Sequence, residues 1–204
     1  MKNLLISVIC FGVAITVFTG CKKKEATVEN LKSAITGETT ASAKYAAYAK
    51  KAKEEKFDKI AKLFEAASTA EAAHAKKHTG VLEKMGVKMD PIKPQFTVMS
   101  TKENLDDALK GETHEIDTMY PDYIKKAKEE GKDDAVTTFD WAMQVEKMHQ
   151  AFYKAAIEAL AKNDFKGLSD TYAVCPVCGN TVAGNAPNTC PLCGAAQADF
   201  AVIK

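Results

Sequence analysis

Two copies of one short pattern, Glu71-Ala72-Ala73-His74 and Glu146-Lys147-Met148-His149, sit in the middle of long helical stretches. Residues three apart on a helix project from the same face. Each segment therefore aims one carboxylate and one imidazole at a common point. Whether that point lies in solvent or in the interior decides what this chain can be.

Between Thr27 and Asn163 four segments repeat their apolar residues at helical spacing. The first spans about Val28 to Glu55, with Leu31, Ile35, Glu38, Ser42, Tyr45, Ala49 and Ala52 in one stripe. The second spans about Phe57 to Met85, with Ile60, Phe64, Ala67, Glu71, His74, His78 and Val81. The third opens after Ser100, where Ser100-Thr101-Lys102-Glu103 reads as a capping box, and its stripe is Leu105, Ala108, Glu112, Glu115 and Met119. The fourth spans about Asp133 to Lys162, with Phe139, Ala142, Glu146, His149, Tyr153, Ala156 and Leu160. Steps of three and four mark the seam of a helix bundle.

Glu38, Glu71, His74, Glu112, Glu115, Glu146 and His149 interrupt these seams. A single glutamate at such a position would read as a solvated face. Seven acid and imidazole groups at mid-helix seam positions do not, because glutamate is rarely buried without a partner. Two carboxylates about 4 Å apart repel by roughly 4 kcal/mol at an effective dielectric near 20. Something positive must sit among them. Five carboxylates and two neutral imidazoles carry a charge of roughly −5, which suits a pair of metal ions. Oxygen-rich ligands with a little imidazole favour iron or manganese. Tight turns near Lys56 and Gly131, with a proline-bearing connection from Gly86 to Ser100, thread two hairpins as in a ferritin-like bundle. One Glu from each of two helices, with Glu-x-x-His from the other two, is the known ligand pattern of di-metal proteins of that fold.

These segments resemble rubrerythrin over nearly the whole chain beyond residue 20. The resemblance is carried by Gly37-Glu38-Thr39-Thr40-Ala41 with Tyr45, by Glu71 to Lys76, by Gly111-Glu112-Thr113-His114-Glu115 with Met119-Tyr120-Pro121, and by Glu146 to His149. It implies a non-haem di-iron site held by Glu38, Glu71, His74, Glu112, Glu115, Glu146 and His149. It further implies that Glu115 exchanges with His74 as one iron shifts with redox state. Tyr45 and Tyr120 match tyrosines that hydrogen-bond the ligand carboxylates. His78 and His114 match no ligand and read as a core or a surface histidine.

After Asn163 the helical pattern stops. Cys175-Pro176-Val177-Cys178-Gly179 and Cys190-Pro191-Leu192-Cys193-Gly194 form two Cys-x-x-Cys loops with eleven residues between them. This is a strong signal for a four-thiolate tetrahedral site. The spacing alone leaves zinc and a single iron open. Beside a di-iron bundle the resemblance implies a rubredoxin-like iron that passes electrons one at a time. Asn180 stands where the family often has an aromatic residue.

The first twenty residues read as export machinery rather than fold. Lys2, an apolar run from Leu4 to Phe18 and then Thr19-Gly20-Cys21 match a secretory signal ending in a lipobox-like sequence, although Phe18 is less usual there. An uncleaved membrane anchor is the alternative, and the run is slightly short for one. The expected organisation is a signal peptide at 1–20, a tether at 21–27 lipidated at Cys21, an all-α ferritin-like bundle at 28–165 and a small rubredoxin-like β domain at 170–204. The expected location is extracytoplasmic and membrane-anchored. The formal net charge of +1 offers no basic field for nucleic acid. The resemblance implies reduction of hydrogen peroxide, an external electron donor and a homodimer or larger assembly, with iron storage or dioxygen reduction as rivals.

Overall fold

The computed structural model describes residues 25–204, so the signal reading and Cys21 lie outside the described residues. Helices α1 (Ala26–Glu54) and α2 (Asp58–Lys84) form one hairpin. The second hairpin joins α3 (Thr101–His114), a π-helical turn (Glu115–Met119) and α4 (Tyr120–Glu129) to α5 (Asp133–Lys162). Lys56 and Gly131 turn the two hairpins with left-handed backbone, φ 66° and 65°. The stretch from Gly86 to Ser100 crosses between hairpins without helix or strand. The expected four-helix, ferritin-like threading is the observed one.

Each long helix passes through two apolar clusters. One contains Tyr45, Phe64, Leu105 and Tyr153, the other Leu31, Leu82, Tyr120 and Phe139. Glu38, Glu71, Glu112 and Glu146 fall where their helices cross from one cluster to the other. A polar layer is thus sealed at both ends by close-packed hydrocarbon and aromatic rings, which raises the cost of any charge left uncompensated within it.

The third segment departs from a plain α-helix. Capping at Ser100 is as read: its side chain accepts from the Glu103 N–H, and Glu103 reaches back to the Ser100 N–H at 3.1 Å. Further on, Glu115–Met119 widens into π turns. Pro121 lacks the N–H that would continue the α ladder. An ideal α-helix would carry Tyr120 about 80° past the face of Glu112, and the wider turns absorb about that excess. Tyr120 is consequently fully buried beside Glu38.

The C-terminal module is a three-stranded antiparallel sheet, β1 (Tyr172–Val174), β2 (Thr181–Ala183) and β3 (Ala201–Ile203), in the order β2-β1-β3. It is fixed to the bundle. Leu168, Tyr172 and Val174 belong to the same apolar cluster as Phe64 and Tyr153. Lys59 reaches the Leu168 carbonyl at 2.9 Å and the Asp170 carboxylate at 3.1 Å. Among the described residues no helix is long and apolar enough to cross a membrane.

Glu130, at the end of α4, binds the hairpins together. Its carboxylate accepts the free N–H groups of Ala26 and Thr27 at 2.8 and 2.9 Å, at the start of α1. Those hydrogen bonds, Thr27 first, hold its pKa below the usual carboxylate value. The stabilisation is therefore present above the unfolded-state pKa and lost as pH falls through the folded one. Glu130→Ala should cost about 1 kcal/mol at neutral pH, typical of a lost helix cap, and nothing in strong acid. Denaturant titrations of both proteins at pH 7 and pH 3 check this.

Candidate metal centres

The bundle cluster consists of two overlapping sets of ligand atoms. Glu38, Glu71, His74 and Glu146 form one, and Glu71, Glu112, Glu146 and His149 form the other. Within each set the atoms lie within 4.8 Å of one another. Glu71 and Glu146 are common to both, as two bridging carboxylates would be. All six residues are buried, 2% exposed or less. Six of the seven side chains read from the sequence therefore meet at one centre. Glu115, in the π turn, is partly exposed and stands outside both sets.

The two imidazoles are oriented alike. His74 Nδ1 lies 2.9 Å from Glu71 Oε2 and 2.9 Å from Glu146 Oε1. His149 Nδ1 lies 2.8 Å from Glu146 Oε2 and 3.4 Å from Glu71 Oε1. Their Nε2 atoms point outward, to the Cys178 carbonyl at 3.2 Å and to Thr181 Oγ1 at 3.0 Å. A carbonyl only accepts, and the Thr181 hydroxyl already donates to the Gly179 carbonyl at 2.9 Å. Both Nε2 atoms therefore carry the proton. Each Nδ1 therefore faces inward and, in the neutral imidazole, presents its lone pair there, the orientation of a histidine that binds a cation.

Without a cation this arrangement is poorly satisfied. Glu38 Oε2, Glu71 Oε1, Glu112 Oε2 and Glu146 Oε1 are buried with no hydrogen-bond partner. Burial and neighbouring carboxylates push Glu38 up to about 8 and hold Glu112 well above the carboxylate range. Burial pulls the His149 imidazole down, but Glu146 and Glu71 outweigh it and push it up to about 9. The cluster thus compensates by retaining protons. Four orphaned oxygens, two shared carboxylates and two inward lone pairs fit a pair of divalent ions.

Around the cluster, Tyr45 donates to Glu112 Oε1 at 2.8 Å, and Tyr120 donates to Glu38 Oε1. Both tyrosines lie where the sequence resemblance placed them. His78 is the core histidine of the two readings offered for it, and His114 is exposed. The role of His78 was not legible in sequence. Tyr120 spends its one proton on Glu38, so His78 donates from Nε2 to the Tyr120 oxygen (3.2 Å) and Thr138 donates to His78 Nδ1 (2.9 Å). Burial, aided by His74, pushes His78 down to about 3 and keeps it neutral.

The second centre is held by Cys175, Cys178, Cys190 and Cys193, whose sulfurs form one close group. Cys175 and Cys193 are 3.5 Å apart and Cys178 and Cys190 3.6 Å apart. Those separations are far too long for a disulfide, and they approach the edge of a tetrahedron with metal–sulfur bonds of about 2.3 Å. The two loops repeat each other: Gly179 and Gly194 have φ of 77° and 79°, and their N–H groups reach the Cys175 and Cys190 carbonyls at 2.9 Å.

The family resemblance implies that the thiolate module of one subunit serves the bundle of another. The thiolate loop of the same chain lies directly on the bundle cluster, through Cys178 O on His74. Gly179 allows this. A Cβ there would sit 2.2 Å from His74 Nε2. Asn180, noted as a departure from an aromatic residue, is buried at this junction.

Loading the metal-free bundle at pH 7 should release protons, because raised carboxyls and imidazolium must give up hydrogen to bind cations. Apparent affinity should fall as pH is lowered. Calorimetry in buffers of different ionisation enthalpy measures the release, and proton-neutral binding would contradict this placement of the protons.

Comparison with known proteins agrees with this geometry. The rubrerythrin family model matches residues 29–157, and the model for the rubrerythrin rubredoxin-like domain matches 174–201. The chain is 31% identical to rubrerythrin-2 of Clostridium acetobutylicum over 87% of its length and 97% of that protein. It is 38% identical to nigerythrin of Nitratidesulfovibrio vulgaris over 82% of its length and 81% of that protein. A solved structure described as the fully reduced, all-ferrous state of nigerythrin superposes with a TM-score of 0.78 at 34% identity, covering 91% of each chain. A bundle with a carboxylate–histidine di-metal site, joined to a rubredoxin-like four-cysteine site, places this chain in the rubrerythrin family.

Proposed function

We propose that this protein reduces hydrogen peroxide to water, using two iron ions in the bundle and one iron among the four thiolates. The observation that carries this reading is the direct contact between Cys178 and His74. A protein that only stored iron would have no need of a one-electron centre abutting its metal cluster. The net reaction takes one peroxide, two electrons and two protons to two waters. Iron in these sites would supply the electrons, accepted singly at the thiolates and spent as a pair in the bundle.

The chain's own residues supply the rest. Glu38, Glu71, His74, Glu112, Glu146 and His149 would hold the ions, with Glu71 and Glu146 shared. Glu115 stands beside the cluster on a π turn. That placement supports the exchange with His74 implied by the family. Tyr45 and Tyr120 donate to the two unshared carboxylates and fix their orientation. Apolar packing above and below excludes bulk water.

Cys21 lipidation, an extracytoplasmic position and a homodimer or larger assembly also stand as proposals. Exchange of modules between subunits would preserve the Cys178–His74 contact in trans. Mass spectrometry of membrane-extracted protein tests the lipid.

Peroxide added to anaerobically reduced protein should return the thiolate-iron colour within seconds, and faster than dioxygen does. Comparable rates would favour an oxidase. A colourless protein with zinc at the thiolates, or no re-oxidation, would favour iron binding without turnover. Gly179→Ala should separate the centres and slow peroxide-driven re-oxidation of the thiolate iron at least tenfold, with both sites still loaded, as metal analysis and stopped-flow absorbance would show.

A further inference from the structure

We infer that His78 is a positioning residue of the bundle site: held by Thr138, it fixes the Tyr120 hydroxyl so that Glu38 Oε1 is spent on Tyr120 and Oε2 alone is left for the cation that Glu38 and His74 would share. This deepens the reading above and rests on it for the pair of ions. His78 lies one turn beyond His74 on α2, yet it belongs to neither set of ligand atoms. It is fully buried, and both ring nitrogens are paired: Nδ1 with Thr138 Oγ1 at 2.9 Å, and Nε2 with the Tyr120 hydroxyl at 3.2 Å. Tyr120 in turn donates to Glu38 Oε1. One chain of hydrogen bonds thus joins α5, α2, α4 and α1 and ends on a candidate ligand.

The direction of that chain is forced. A Glu38 carboxylate facing a cation only accepts, so Tyr120 gives it its single proton. The Tyr120 oxygen then accepts from His78 Nε2, and Nδ1 must accept from Thr138. Donation to the phenol oxygen polarises its O–H toward Glu38 and strengthens that bond. It also stops the hydroxyl from turning elsewhere. Glu38 Oε2 is meanwhile buried without a hydrogen-bond partner, and His74 Nδ1 lies 3.9 Å from it. The carboxylate is left with one committed oxygen and one open to a cation.

Packing alone does not explain an imidazole here. The surroundings are the apolar cluster of Leu31, Leu82, Tyr120 and Phe139. The His78 ring lies 5.3 Å from the Phe139 ring and 6.0 Å from the Tyr120 ring, centroid to centroid. A leucine would fill such a place without the cost of burying two polar nitrogens. That cost is offset through Thr138, itself buried, and through Tyr120. The other unshared carboxylate is treated differently. Tyr45 donates to Glu112, but no histidine hydrogen-bonds Tyr45 among the described residues. Glu38 therefore carries a brace that Glu112 lacks.

The test binds Mn(II) to the full chain with zinc at the four thiolates and the bundle metal-free, so it does not depend on turnover. Free Mn(II) is followed by electron paramagnetic resonance, and urea titration of each metal-free variant shows whether it folds. The parent should take up two Mn(II). His78→Leu should weaken one of the two steps by about 10- to 100-fold, the usual cost of losing an outer hydrogen bond to a metal ligand, and leave the other near the parent. His78→Gln can accept from Thr138 and donate to Tyr120, so it should restore most of the loss. Tyr120→Phe should weaken the same step at least as much as His78→Leu, and the double variant should lose no more than Tyr120→Phe alone. Thr138→Val keeps the ring in place and should show a smaller loss at that step; if His78→Leu does not fold, no loss in Thr138→Val would overturn the proposal. In the metal-free parent, 15N chemical shifts of His78 should report a protonated Nε2 and an accepting Nδ1. Unchanged affinity in His78→Leu, equal weakening of both steps, losses that add in the double variant, or a proton on Nδ1 would each overturn the positioning role alone. A parent that takes up fewer than two Mn(II) would overturn the di-metal reading and the proposal with it.

Discussion

Mutual repulsion among buried carboxylates is the constraint on which this structure turns. Glu38, Glu71, Glu112 and Glu146 come from four different helical segments and meet in a layer closed above and below by apolar clusters. Each pair at contact distance repels by roughly 4 kcal/mol at an effective dielectric near 20, on top of the desolvation of each group. A fold of ordinary stability has only about 5–15 kcal/mol to lose. The layer survives either by holding protons or by holding cations. The inward lone pairs of His74 and His149 and the sharing of Glu71 and Glu146 are arranged for cations.

That requirement reaches outward through successive contacts. The imidazoles present Nδ1 to the centre because Cys178 and Thr181 take their Nε2 protons. Those two acceptors belong to the thiolate module, so the module orients the ligands of the bundle while lying against them. Under the proposed function, electron relay and ligand orientation would be one contact. On the opposite side, Thr138, His78 and Tyr120 form a chain of hydrogen bonds with a single consistent direction, ending on Glu38. The bundle site is held from both sides by groups whose protons have no alternative placement.

Much of this was legible in sequence because it depends on local periodicity. Spacing alone put Glu71 with His74 and Glu146 with His149 on common faces, and the capping box at Ser100 and the turns at Lys56 and Gly131 follow from local chemistry. The π turn was not legible, since Glu112 and Glu115 fit an α-helical seam. Pro121 was the one available hint. His78 shows the other limit. Its spacing from His74 read as another seam position, yet its partners lie on α4 and α5 and only tertiary packing brings them together. Gly179 likewise reads as a turn glycine of a cysteine loop, and its approach to His74 depends on where the module docks.

Anomalous diffraction at the iron edge, from crystals of the iron-loaded protein, tests the central claim most directly. Two peaks are expected inside the bundle, each within bonding distance of Glu71 and Glu146, and a third among Cys175, Cys178, Cys190 and Cys193. Absence of density between those glutamates, with the carboxylates still converging, would contradict the claim that the acid layer exists to hold a pair of cations.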